Sequence, residues 1–216
     1  MSDDDRGNNI LARYTAGARI NHWANAIILI LLAVSGLALF HPGLFFLTDL
    51  FGGGQETRAI HPWFGVAVLF TFAGLFIRFV RYNFWNSDDT RWMRHVGDVV
   101  NNHEERIPEV GRYNAGQKLV FWGMTLCILA LFVSGLVLWD TYFFQYTTID
   151  QKRLAAVVHA LGASGIIIIL IIHVYAAIWV RGTVRAMTRG SVTGGWAWRH
   201  HRKWLKEEAA KPGNDD

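Results

Sequence analysis

Four stretches of this chain carry no formal charge over about the ~20 residues that cross a lipid bilayer as helix. They are residues 20–48, 59–77, 119–139 and 154–180. A soluble domain would break such runs with polar residues on its outer faces. Only 18% of residues are charged and 52% are hydrophobic, and the charges fall between the runs. The expectation is an all-α integral membrane four-helix bundle, a single membrane domain over 1–216. Its spans are expected near 20–40, 59–78, 117–139 and 154–180.

The basic residues orient this bundle. Eighteen Lys and Arg lie in the N-terminal segment, the long middle loop and the C-terminal tail, against three in the other two loops. Basic residues mark the cytoplasmic side. Both termini and the middle loop are therefore expected in the cytoplasm, and the net charge of +4 reads as topology and lipid contact rather than nucleic-acid binding. The start, MSDDDRGNN, lacks the basic n-region and short apolar core of a cleaved leader, so the first run is expected to stay in the mature protein. Residues 1–12 are expected to be disordered. Cys127, the single cysteine, is expected as a small apolar core residue.

Helix 1 is expected to close near His41-Pro42-Gly43, and helix 2 to begin near His61-Pro62-Trp63, with proline in the first turn. Between helices 2 and 3 a short amphipathic helix is expected, with Trp85, Trp92 and Met93 toward lipid. Trp196, Trp198 and Trp204 are expected at the inner membrane surface.

Nine histidines are present. His95, His103, His200 and His201 fall in the middle loop and tail and are expected to be solvated; His41 is expected at a helix terminus. The other four sort by depth. Helix 1 runs outward, so His22 lies near the inner surface. Helices 2 and 4 run inward, so His61 and His159 lie near the outer surface and His173 near the inner one. His159 and His173 are 14 residues apart, hence about 40° apart around the helix and about 21 Å along it. Ionisable groups at membrane depth are costly and mark function. Two opposed imidazoles in an apolar bundle suit six-coordinate haem b, a flat apolar macrocycle with one axial ligand on each face. Zinc fits poorly, since each depth offers two ligands without carboxylate or thiolate. Gly65, Gly162 and Gly165 near these histidines, and Gly36 and Gly135 in twin VSGL contexts, would admit a haem edge or simply pack helix on helix. Arg19, one turn before His22, could pair with a haem propionate or act as a surface charge.

Four segments carry a family resemblance: ARINHW, HPWFG, RYNAGQK and VVHALGA followed by IHVYAAIWVRG. With them the chain resembles the cytochrome b556 (gamma) subunits of respiratory, membrane-bound formate dehydrogenases, from about Tyr14 into the basic tail. The di-haem cytochrome b subunits of nickel–iron hydrogenases and of thiosulfate reductase are wider relatives. The resemblance implies that His61 and His159 hold an outer haem and His22 and His173 an inner one. It implies a menaquinone site beside the inner haem, with Asn114, Gly116 and Gln117 matching its motif. It further implies an iron–sulfur beta subunit and a molybdenum or tungsten catalytic alpha subunit as partners, a higher oligomer of the complex, and residence in the bacterial inner membrane. Electrons from formate would reach menaquinone through this chain, which has no cysteine cluster or pterin site of its own. The alternatives are a hydrogenase-type cytochrome b and, in another class, a haem-free anchor or small transporter. For Asn114 the alternative role is the N-cap of helix 3.

Overall fold

A computed structural model describes residues 10–101, 103 and 107–211. The expected disorder of residues 1–9 lies outside these. Among the described residues the order is β1 (Ile10–Ala12), α1 (Ala16–Phe40), a 3₁₀ segment (Pro42–Phe51), α2 (Gly54–Phe79), α3 (Ser87–Arg94), α4 (Val96–Val100), α5 (Ala115–Leu138), α6 (Asp140–Phe143), α7 (Ile149–Trp179), α8 (Thr183–Arg189), β2 (Ser191–Thr193), α9 (Gly194–His200) and α10 (Arg202–Ala209). Helices α1, α2, α5 and α7 are long and apolar enough to cross a membrane. Their outward faces expose Ile27, Phe70, Leu126 and Ile171, as lipid-facing helices do. The chain divides into two compact units, residues 20–78 with 123–175, and the flanking segments.

The first unit is built from the long helices. Each contributes one buried residue to a shared core: Leu29, Val68, Ile128 and Ile166. Polar bonds tie α1 to α2: Asn21 Nδ2 donates to the Thr71 carbonyl at 2.7 Å, and the Thr71 hydroxyl donates to Asn25 Oδ1 at 2.9 Å. Small residues allow close approach, which is how membrane helices pack without a hydrophobic drive between them. A Cβ at Gly74 would come 2.5 Å from Asn21 Oδ1, and one at Gly123 2.9 Å from Ile169 Cδ1. Cys127 joins the edge of this core.

The close of α1 is as expected. His41 is extended and its Nδ1 accepts the Gly43 N–H at 3.1 Å, capping the 3₁₀ segment. The start of α2 is not. The helix begins at Gly54 and Pro62 lies inside it. Gly52 and Gly53 adopt positive φ of 92° and 110°, a reversal that L side chains resist. Thr57 then anchors the first turns by donating to the Gly53 carbonyl at 2.7 Å. These contacts outweigh the preference of proline for a first turn.

The second unit corrects several expectations. Residues 10–12 are ordered as β1, antiparallel to β2, with Leu11 opposite Val192. Trp196 and Trp204 do not lie on a surface; they pack with Ala186, Val192 and Ala197 in a core that Leu11, Tyr14 and Leu205 border. Only Trp198 is exposed. Trp92 is likewise buried, against Val110 and Ala115 with Met93 alongside, while Trp85 is exposed. His201 is buried rather than solvated: its Nδ1–H donates to the Gly111 carbonyl at 2.8 Å. The reason is common to all. These short helices have enough apolar surface to bury one another, so the amphipathic face meets protein.

Buried cations hold this unit. Arg13 and Arg112 exchange guanidinium-to-carbonyl bonds of 2.5 and 2.6 Å, and the Arg13 guanidinium sits 4.4 Å from the Trp204 ring centre and 5.1 Å from that of Trp196. Arginine is suited to this, since its planar cation stacks on rings and is weakly hydrated. Lys118 Nζ meets Asp89 Oδ2 at 2.7 Å, both side chains almost fully buried, and also donates to the Phe84 carbonyl at 2.9 Å. Asp89 Oδ2 in turn accepts the Asn86 N–H at 2.7 Å, closing a capping box on α3.

Candidate haem sites

The four depth-sorted histidines all fall in the unit made from the long helices, and they meet in pairs. His61 of α2 faces His159 of α7 with ring centres 6.3 Å apart. His22 of α1 faces His173 of α7, also at 6.3 Å. The equal spacing is a measure of what fits between. An imidazole nitrogen binds a transition metal at about 2.0 Å. A five-membered ring of bonds near 1.35 Å places its centre about 1.15 Å from each atom. Twice that combined distance is about 6.3 Å. Each pair is therefore spaced for one metal atom between two imidazoles. Among the described residues no three His, Cys, Asp or Glu side chains converge as a metal-ion cluster. Two imidazoles at this spacing could serve as the protein ligands of a haem iron, whose remaining donors the macrocycle would supply.

The sequence reading missed two residues of this site. The Ser35 hydroxyl lies 2.8 Å from His61 Nδ1, and the Ser134 hydroxyl 2.9 Å from His159 Nδ1. Each serine spends its own proton on its helix backbone, Ser35 on the Leu32 carbonyl at 3.0 Å and Ser134 on that of Ala130 at 2.6 Å. Their oxygens are left to accept, so Nδ1 of each histidine carries the proton and Nε2 carries the lone pair. That is the tautomer a metal-binding imidazole needs. The glycine after each serine makes room: a Cβ at Gly36 would stand 3.1 Å from His61 Cε1, and one at Gly135 3.4 Å from His159 Cε1. The twin VSGL tetrapeptides, at 34–37 and 133–136, are thus two cradles for imidazole. The repeat was the available signal.

The remaining glycines divide. A Cβ at Gly65 would meet nothing within 4 Å, as beside a ligand edge, whereas Gly162 and Gly165 pack on Leu131 and Cys127. At the other pair, His22 Nδ1 is buried without a hydrogen-bond partner among the described residues.

A family comparison bears on this geometry. The model of prokaryotic cytochrome b561 matches residues 13–190. The chain belongs to that family. It is a multi-pass membrane cytochrome b, and the family implies haem b. It is also 40% identical over 197 residues to the formate dehydrogenase cytochrome b556(fdo) subunit of Escherichia coli K12, covering 91% of this chain and 92% of that one. The nitrate-inducible formate dehydrogenase cytochrome b556(Fdn) subunit of the same strain is 39% identical over 191 residues, covering 88% and 87%. The formate dehydrogenase cytochrome b556 subunit of Haemophilus influenzae is 34% identical over 216 residues, covering all of this chain and 89% of that one.

The other expected site residues of this cytochrome b561 lie in the second unit. Asn114 Oδ1 accepts the Gln117 N–H at 2.9 Å, and Gln117 Oε1 accepts the Asn114 N–H at 3.0 Å. This is a reciprocal cap on α5. It occupies both amide oxygens and leaves both NH2 groups as donors. Gly116 lets the Trp92 ring approach, within 3.3 Å of where a Cβ would stand. Arg19 Nη1 donates to the Tyr14 carbonyl at 3.3 Å, a contact that anchors the entry to α1.

Proposed function

We propose that this chain binds two haem b groups, one between His61 and His159 and one between His22 and His173. On this reading it carries electrons across the inner membrane from an iron–sulfur subunit outside to menaquinone near the cytoplasm. The observation that carries the reading is the pair of equal 6.3 Å spacings. When bound, haem b supplies reversible one-electron transfer. The four histidines hold and separate the two sites, and the charge-free helices around them keep water and ions out. Helix α7 sets the spacing: fourteen residues at about 1.5 Å each place its two imidazoles about 21 Å apart along the axis. With the basic segments and both termini on the cytoplasmic side, an electron moved inward is charge moved across the membrane, about 2.3 kcal/mol per 100 mV. The likeness to formate dehydrogenase subunits supports a molybdenum or tungsten catalytic subunit as the source of those electrons. Asn114 and Gln117 offer their NH2 groups to the quinone carbonyls.

The test is a haem count and a reduced-minus-oxidised spectrum on the purified chain. Two haems are expected in the wild type and one in each of His61→Ala and His22→Ala. A haem-free chain, or single variants that keep both haems, would refute the ligand assignment. For the quinone role, Asn114→Asp keeps the cap and removes the NH2 donor. It should retain both haems and reduce menaquinone analogues more slowly; an unchanged rate removes Asn114 from the site.

A further inference from the structure

The two histidine pairs are not equivalent in what stands behind them. Behind His61 and His159 lie serine oxygens at 2.8 and 2.9 Å, each serine proton already committed to its helix backbone. A hydroxyl that donates becomes a better acceptor, since linked hydrogen bonds polarise one another. Both serines are buried, at 0% and 4% exposure, so water does not compete for these bonds. At the other pair the Nδ1 of His22 is buried with no such acceptor among the described residues. An imidazole whose N–H is drawn to an acceptor is more basic at its other nitrogen. A more basic axial ligand favours the higher charge on iron, and hydrogen bonding around the ligands is one of the levers on reduction potential.

We propose that Ser35 and Ser134 are positioning residues that hold His61 and His159 in the ligating tautomer and set the haem between them below the His22–His173 haem in reduction potential. The proposal rests on the di-haem reading. Its consequence is direction. An electron arriving at the His61–His159 end meets a more oxidising centre further in, which offsets part of the work of moving negative charge inward.

The experiment is a spectroscopic redox titration of the purified, haem-loaded chain: wild type, Ser35→Ala, Ser134→Ala, the double variant, and His61→Ala to assign the steps. Two steps are expected in the wild type, with the lower one absent from His61→Ala. Each alanine variant should raise only that lower step, by about threefold in the ferric-to-ferrous preference. The pair should then give about tenfold, or about 59 mV for one electron. Ser35→Thr, which keeps the hydroxyl, should restore the wild-type value. If alanine costs the haem instead, loss in Ser35→Ala with retention in Ser35→Thr supports the same role. A lower step unmoved in the double variant with both haems present overturns the proposal, as does a shift confined to the higher step. A wild-type chain that carries no haem overturns the di-haem reading itself, which separates the two failures.

Discussion

Acidification should open the unit built by β1, α3 and α8 to α10, and His201 sets the pH at which it does so. Its ring is buried, lies 5.0 Å from that of Trp196, and donates Nδ1–H to the Gly111 carbonyl. Burial, and then the nearby Arg13 charge, push its pKa down from 6.5 to about 3. The unfolded chain therefore binds a proton in that interval which the folded chain refuses. The stabilisation is complete above the unfolded value and declines as pH falls from 6.5 toward 3. At about pH 5 the deficit is roughly 1.5 pH units, or about 2 kcal/mol, an increase of about thirtyfold in local opening. Asp88 and Glu208 do not confuse this window. Their hydrogen bonds to Lys203 and Lys211 lower their pKa values further, so they respond at more acid pH. Amide hydrogen exchange across residues 191–211, in lipid nanodiscs at about pH 7.5 and pH 5 and corrected for intrinsic rates, measures the opening directly. His201→Gln keeps an amide donor but does not titrate, so its exchange should show no such increase. An equal pH response in the wild type and His201→Gln would refute the reasoning.

Two further perturbations probe other parts. Asp89→Asn removes the carboxylate charge that lies 2.7 Å from the buried Lys118 ammonium and should destabilise the fold by about 3 kcal/mol, seen as a lower Tm in detergent. An unchanged Tm means the pair is unimportant to stability. Gly36→Val drives a branched side chain at His61 Cε1, where even a Cβ would stand 3.1 Å away. It should lower the haem count to one per chain while leaving the His22–His173 haem, and two retained haems would show that the cradle can yield.

What the sequence made legible follows physical range. The spans were legible because length and absence of charge are properties of a single helix. The meeting of His61 with His159 and His22 with His173 was legible because topology assigns depth, and depth leaves few partners. Ser35 and Ser134 were not, because a mid-helix serine ordinarily bonds its own backbone; that each also reaches a histidine depends on how two helices face each other. Trp92, Trp196, Trp204 and His201 misled for the opposite reason. Aromatic and basic residues beside a membrane suit an interface, and nothing in their local pattern reveals that short helices far apart in sequence bury them. The pairing of β1 with β2 is an extreme case, three residues long with its partner near the other end of the chain.

Helix α7 carries one histidine of each pair on a single unbroken element. Its length between them is therefore a phase as well as a distance. Deleting one residue would swing His173 by about 100° relative to His159, away from any position that could face His22. Removing seven residues would restore the bearing to within about 20°, yet draw the two levels together by about 10 Å. The fourteen-residue step from one to the other closes nearly four whole turns. This segment can change in composition far more readily than in length.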